Sequence, residues 1–160
     1  MGKIESEYPQ SRRRVLRGLL LAGMTPSLCA ATGRPCCELP AADEASIRFG
    51  TGLVDIDLKR VPELKGRGGA VWIVNDERKI ALVVVHLGGR EFLAADRKCT
   101  HGGGPLTFLA KRRVLHCTCW GHSRFALDGS VVAGPAKRKL NIYETAREGD
   151  RLTIRLGTPA

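Results

Sequence analysis

Apolar residues occur along the chain in short runs, several with period-two alternation, and turn residues separate the runs. Long stripes of 3.6-residue period are absent from the pattern, so strands are expected rather than helices. The runs predict strands over 53–57, 70–75, 80–87, 91–95, 114–117, 130–132, 140–143 and 151–156. Residues 80–85 are nearly all apolar, as in a central strand covered on both faces. Asn75-Asp76, Gly88-Gly89, Asp128-Gly129 and Gly149-Asp150 tolerate the positive φ that tight hairpins need, which implies antiparallel pairing. Residues 58–64 predict one short helical turn. No internal repeat interrupts the pattern, and the expectation is an all-β antiparallel sandwich or barrel.

The N-terminal stretch follows a different pattern. Ser11-Arg12-Arg13-Arg14-Val15-Leu16-Arg17 precedes the apolar run Gly18 to Met24, and the small residues Cys29-Ala30-Ala31 follow. Basic, apolar, then small is the order of an export signal. The consecutive arginines make it similar to a twin-arginine signal, used for proteins exported already folded. Residues 1–31 are therefore expected to be a signal peptide or an N-terminal anchor. Cleavage after Ala31 removes five basic and two acidic residues and lowers the formal charge from +10 to +7. Residues 32–45, with Gly33, Pro35, Cys36, Cys37 and Pro40, predict a linker, and 46–158 the folded domain. Cys36 and Cys37 are adjacent, which disfavours a bridge between them.

The chain has 160 residues, 43% of them hydrophobic and 26% charged, which is ordinary for a domain that folds in water and too polar for a multi-span membrane protein. Its basic excess favours acidic partners. Only 5% of residues are aromatic, and none interleave the basic clusters as stacking platforms would, so a nucleic-acid role is not expected.

The residues with metal chemistry fall in two boxes. Cys99-Thr100-His101 is followed, after 17 intervening residues, by Cys119-Trp120-Gly121-His122. Two Cys/His pairs also suit tetrahedral zinc, and a structural zinc module is the competing class, although one intervening residue is tighter than common zinc spacings. An absorption spectrum separates the two.

The spacing of both boxes, and the gap between them, resembles the Rieske iron-sulfur family. The resemblance extends over about residues 70–156, including Gly134-Pro135-Ala136, which is similar to the start of the family's proline loop. It implies a 2Fe-2S cluster carried on a small subdomain of two loops, within about residues 97–136 of the antiparallel fold. It implies Cys99 and Cys119 on the inner iron and His101 and His122 on the outer one, where neutral imidazoles raise the reduction potential. Cys117 is then a spare thiol beside the cluster, unless a register shift makes it the ligand, and His116 is a strand residue.

The chain also departs from the family pattern. Members in cytochrome bc complexes bridge the two loops with a disulfide, whereas Gly104 and Gly121 occupy those positions here. The hydroxyl-bearing positions two and four residues after the last histidine hold Arg124 and Ala126, with Ser123 one residue off. A potential below the top of the Rieske range, about −150 to +300 mV, is expected.

The resemblance implies an exported electron-transfer protein, an iron-sulfur subunit of a quinol-oxidising cytochrome complex or related respiratory oxidoreductase, at the periplasmic face of the inner membrane. A cytochrome is the expected partner, with quinol at the exposed histidine edge and membrane association through the N-terminal segment or the complex. The alternatives are a freestanding ferredoxin and a small subunit of an exported molybdenum-type oxidase. A Rieske oxygenase's catalytic subunit needs a second, larger domain, for which this length leaves no room. Lys111-Arg112-Arg113 and Lys137-Arg138-Lys139 flank the boxes and are expected to steer an acidic redox partner.

Overall fold

The computed structural model describes residues 38–157. The expected export segment, and Cys36 and Cys37, lie outside the described residues. Among the described residues no helix is long and apolar enough to cross a membrane.

Among the described residues eleven strands form two sheets. The larger holds β1 (Ile47–Phe49), β2 (Leu53–Asp57), β3 (Ala70–Asn75), β4 (Ile80–Gly88), β5 (Glu91–Asp96), β10 (Ile142–Glu148) and β11 (Arg151–Arg155), in the order β1-β2-β11-β10-β5-β4-β3. The smaller holds β6 (Leu106–Leu109), β7 (Val114–Cys117), β8 (Arg124–Phe125) and β9 (Val131–Ala133), paired in sequence order. Every strand pair is antiparallel. The fold is the all-β antiparallel class that the alternation predicts.

Strand β4 shows why the pattern works. Leu82 and Val84 face one core, with Val54, Ile56, Val71, Ile73, Leu152 and Ile154. Val83 and Val85 face a second core, shared with Leu93, Ala95, Leu106, Leu115, Phe125 and Leu140. Side chains of a strand alternate between faces, so a strand buried on both must be apolar throughout. The second core joins the small sheet to the large one.

Three strands escape the sequence pattern. β1, β6 and β8 are short, and β8 has only the pairs His116↔Arg124 and Leu115↔Phe125 with β7. Phe125 is fully buried in the second core, a burial that contributes about 1.5–3 kcal/mol. One anchored ring therefore holds β8 more than its pairing does. β10 runs to Glu148, well past the predicted end at 143, because its exposed half is polar on one face and paired with β11. The predicted turn at 58–64 is a 3-10 turn at Pro62–Leu64. N-terminal to the expected domain start, the backbone of Pro40 and Ala42 already bonds Trp72 on β3, a pairing that needs no side-chain periodicity.

The hairpin glycines behave as expected, with φ of 60° at Gly89, 84° at Gly129 and 58° at Gly149. In the β3–β4 hairpin the left-handed position falls instead on Lys79, φ 55°, while the Asn75 side chain accepts a hydrogen bond from the Arg78 amide at 2.9 Å.

Candidate functional site

Register places the chemistry. Leu106, which follows the first box, pairs with Cys117, which opens the second. Arg124, which follows the second box, pairs with Ala133, which leads into Gly134-Pro135. Two box loops and the proline loop thus emerge at one end of the small sheet, although about 35 residues of chain separate the first from the last.

The first loop closes on itself. The Cys99 amide donates to Gly104 O and the Gly103 amide to Cys99 O, both at 2.8 Å, and Gly103 takes φ 71°. The second loop is closed by the Cys117 amide donating to Ser123 O at 2.8 Å and the His122 amide donating to Cys119 O at 3.0 Å. His122 itself adopts φ 45°, a left-handed conformation uncommon for a side chain of this size and typical of functional loops.

Hydrogen bonds tie the loops to one another. Thr118 donates from its amide to Pro105 O at 3.0 Å, and Thr100 Oγ1 donates to Arg138 O at 2.7 Å. Fully buried Ser123 accepts from the Ala136 amide at 3.2 Å. Ser123, one residue from the family's hydroxyl-bearing position, thus latches the proline loop through its oxygen. Glycines set how closely the loops approach. A Cβ on Gly121 would lie 2.8 Å from His101 Nδ1 and 2.9 Å from Pro135 Cγ. A Cβ on Gly104 would lie 2.5 Å from Cys119 Cβ and 3.0 Å from its sulfur. All three loops meet where these hydrogens are.

The four candidate ligands are sorted by depth. Cys99 is buried and Cys119 half-buried, while His101 and His122 are exposed. Cys117, the spare thiol of the sequence, is fully buried, and its sulfur sits 2.7 Å from that of Cys119. Burial, with the thiols of Cys119 and Cys99 adding to it, pushes the Cys117 thiol up to about 12. The hydrogen bond from Cys117 and the Gly121 amide hold Cys119 below the usual thiol range, so Cys119 is the readier thiolate of the two.

His116 was not separable from any other strand residue in the sequence. Its ring stacks on His122 with centroids 5.5 Å apart and planes 9° apart. Burial first, then the neighbouring His122, Arg124 and Arg112, lower its pKa. Arg112 of the first basic triplet thus lies within electrostatic reach of this face, and the Thr100 bond to Arg138 brings the second triplet's backbone to the first loop. Trp120, at the tip between Cys119 and His122, is 99% exposed.

Among the described residues no three His, Cys, Asp or Glu side chains are gathered to hold one metal ion. A 2Fe-2S cluster needs two donors at each of two irons, and this donor set fits it: thiols on the inner side, imidazoles on the outer, and small residues between.

Comparison with known proteins agrees. The Rieske [2Fe-2S] domain family matches residues 56–144, more than half of the chain. Over 54 residues, 34% of the chain, it is 35% identical to a cytochrome b6-f complex iron-sulfur subunit of Synechococcus sp. (strain JA-3-3Ab). Over 72 residues, 45% of the chain, it is 33% identical to a carotenoid phi-ring synthase of Chlorobaculum tepidum. The chain spans 31% and 11% of these two relatives. Among solved structures, a complex of reduced oxygenase and oxidized ferredoxin in carbazole 1,9a-dioxygenase shares the fold, with TM-score 0.52 and 19% identity over 62% of this chain and 90% of that one. The plasma membrane Rieske protein PetC3 from Synechocystis PCC 6803 matches with TM-score 0.47 and 26% identity over 54% of this chain and 86% of that one. With its boxes on adjoining loops of an all-β scaffold and the family match spanning both, the chain belongs to the Rieske [2Fe-2S] domain family, whose cofactor is the Rieske-type 2Fe-2S cluster.

Proposed function

We propose that this electron-transfer protein is exported and works as the iron-sulfur subunit of a quinol-oxidising cytochrome complex at the periplasmic face of the inner membrane. Residues 1–31 are its twin-arginine-type signal or anchor, 32–45 the linker and 46–158 the Rieske domain. Cys99 and Cys119 hold the inner iron, and His101 and His122 the outer one. The observation that carries this reading is the depth order, with Cys99 buried, Cys119 half-buried and both imidazoles exposed. The likeness to a cytochrome b6-f iron-sulfur subunit supports the choice of complex.

The 2Fe-2S cluster, when bound, supplies one-electron transfer at a potential raised by imidazole ligation. Buried Cys99 sits in the second core and keeps water from the inner side. Nδ1 of His101 is the ring atom nearest Gly121, inside the loops, which leaves Nε2 to hydrogen-bond a quinol hydroxyl and accept its proton. His116 backs the His122 ring and fixes its plane. Basic residues on both sides, Lys111 to Arg113 and Lys137 to Lys139, favour an acidic partner such as a cytochrome with an acidic docking face.

A redox titration at several pH values tests the reading. A potential that falls as pH rises indicates a histidine edge exchanging protons with each electron, as quinol oxidation requires. A low potential that does not change with pH would assign the chain to the freestanding ferredoxin class instead.

A further inference from the structure

Cys117 has no part in the ligand set just described, yet its sulfur touches a member of it. Its sulfur lies 2.7 Å from the Cys119 sulfur. Unbonded sulfur atoms do not ordinarily stand so close, so the two thiols claim one region of space. Gly104 borders that region on behalf of both: a Cβ there would fall 3.0 Å from the Cys119 sulfur and 3.5 Å from that of Cys117. The backbone does not separate them either. Cys117 ends β7 and Cys119 begins the turn closed by the His122 amide, so both belong to the loop that carries His122 at its far side.

We propose that Cys117 and Cys119 form an exchangeable pair at a single coordination position, either sulfur completing the inner iron's thiolate pair with Cys99. The inference rests on the cluster assignment above and adds a fifth ligating residue to it. Exchange would be a substitution without net oxidation or reduction: the thiolate displaced from iron would take up the proton released by the thiol that replaces it. A coordinating thiol is deprotonated by the metal itself, so the buried thiol needs no separate base. The consequence is tolerance of damage. Half-buried Cys119 is the more exposed residue of the two, and Cys117 is fully buried.

The test compares Cys117→Ala, Cys119→Ala and the double variant in the full-length protein, by iron and acid-labile sulfide per chain and by the paramagnetic signal after reduction. Both single variants should keep the cluster, at no less than about half of the wild-type content, with different g-values; the double variant should fall to background. Loss in either single variant, or retention in the double variant, overturns the proposal. Should Cys119→Ala not fold by circular dichroism, wild-type holoprotein treated with N-ethylmaleimide decides by native mass spectrometry. Chains bearing both the 2Fe-2S mass and a maleimide on Cys119 support exchange, and strict loss of the cluster from every Cys119-modified chain refutes it. Failure of the underlying assignment has a different signature, because wild-type protein would then hold no acid-labile sulfide.

Discussion

Replacing Gly121 by alanine separates the stability of the scaffold from the integrity of the site. Gly121 has no positive φ, so its backbone conformation suits alanine, and the loss of unfolded-state freedom should stabilise the fold by about 0.4–1 kcal/mol. Against this, the new methyl would stand 2.8 Å from His101 Nδ1 and 2.9 Å from Pro135 Cγ, where ordinary contact begins at 3.4 Å. The imidazole must therefore withdraw by about 0.6 Å and the proline by about 0.5 Å. Overpacking costs roughly 1–3 kcal/mol in a close-packed core and falls at the low end on an exposed loop, so the two effects nearly cancel. Net destabilisation of no more than about 2 kcal/mol is expected. Metal-ligand distances, by contrast, hold within about 0.2 Å, so if His101 Nδ1 is a ligand as proposed, a 0.6 Å retreat is several times what coordination tolerates. The variant should melt within a few degrees of wild type in its cluster-free form, while its iron and sulfide content falls and its reduced spectrum shifts. The assay pairs a thermal melt with sulfide analysis and spectroscopy on the same preparation. A Gly121→Ala protein that loads fully with an unchanged spectrum and potential would refute the placement of His101 against the second loop.

Three further outcomes are expected. His122→Ala and His101→Ala should each abolish the paramagnetic signal of the reduced cluster while circular dichroism still reports the β scaffold, since both side chains are exposed and contribute little packing. Charge reversal across 111–113 and 137–139 should slow electron delivery to an acidic acceptor and flatten its salt dependence, which stopped-flow traces at two ionic strengths will show. Tyr143→Phe removes the 2.6 Å hydrogen bond to Asp96, leaving Asn141 as that carboxylate's partner at 2.8 Å, and should cost about 1.5–3 kcal/mol in urea titrations. Burial, with Asp96 adding to it, raises the Tyr143 pKa, so its contribution is present below pH 10, the ordinary tyrosine value, and is lost as pH rises through the folded value. The variant's stability should accordingly depend less on alkaline pH than wild type does.

Much of the scaffold was legible in the sequence because its strands bury apolar side chains in a period of two. β3 and β7 match their predicted bounds, and β4, with Val83 and Val85 opposite Leu82 and Val84, is the doubly covered strand that its composition implied. The missed strands lack that signal. β8 is two residues long, and its place depends on Phe125 finding a pocket formed by residues as distant as Leu93 and Leu140. The two boxes were visible because metal chemistry restricts residue type and local spacing, both of which are properties of the linear chain.

What the sequence alone determined is thus the all-β class, the two Cys/His boxes and their family likeness, each written within a few residues of itself. Tertiary structure decided the rest. Register between β6, β7, β8 and β9 brings three distant loops to one end of the small sheet. Packing against the second core orders the thiols inward and the imidazoles outward, stacks His116 on His122 and sets the Cys117 sulfur beside that of Cys119. These are contacts between side chains whose nearness follows from strand pairing and burial, and no local pattern of residues encodes them.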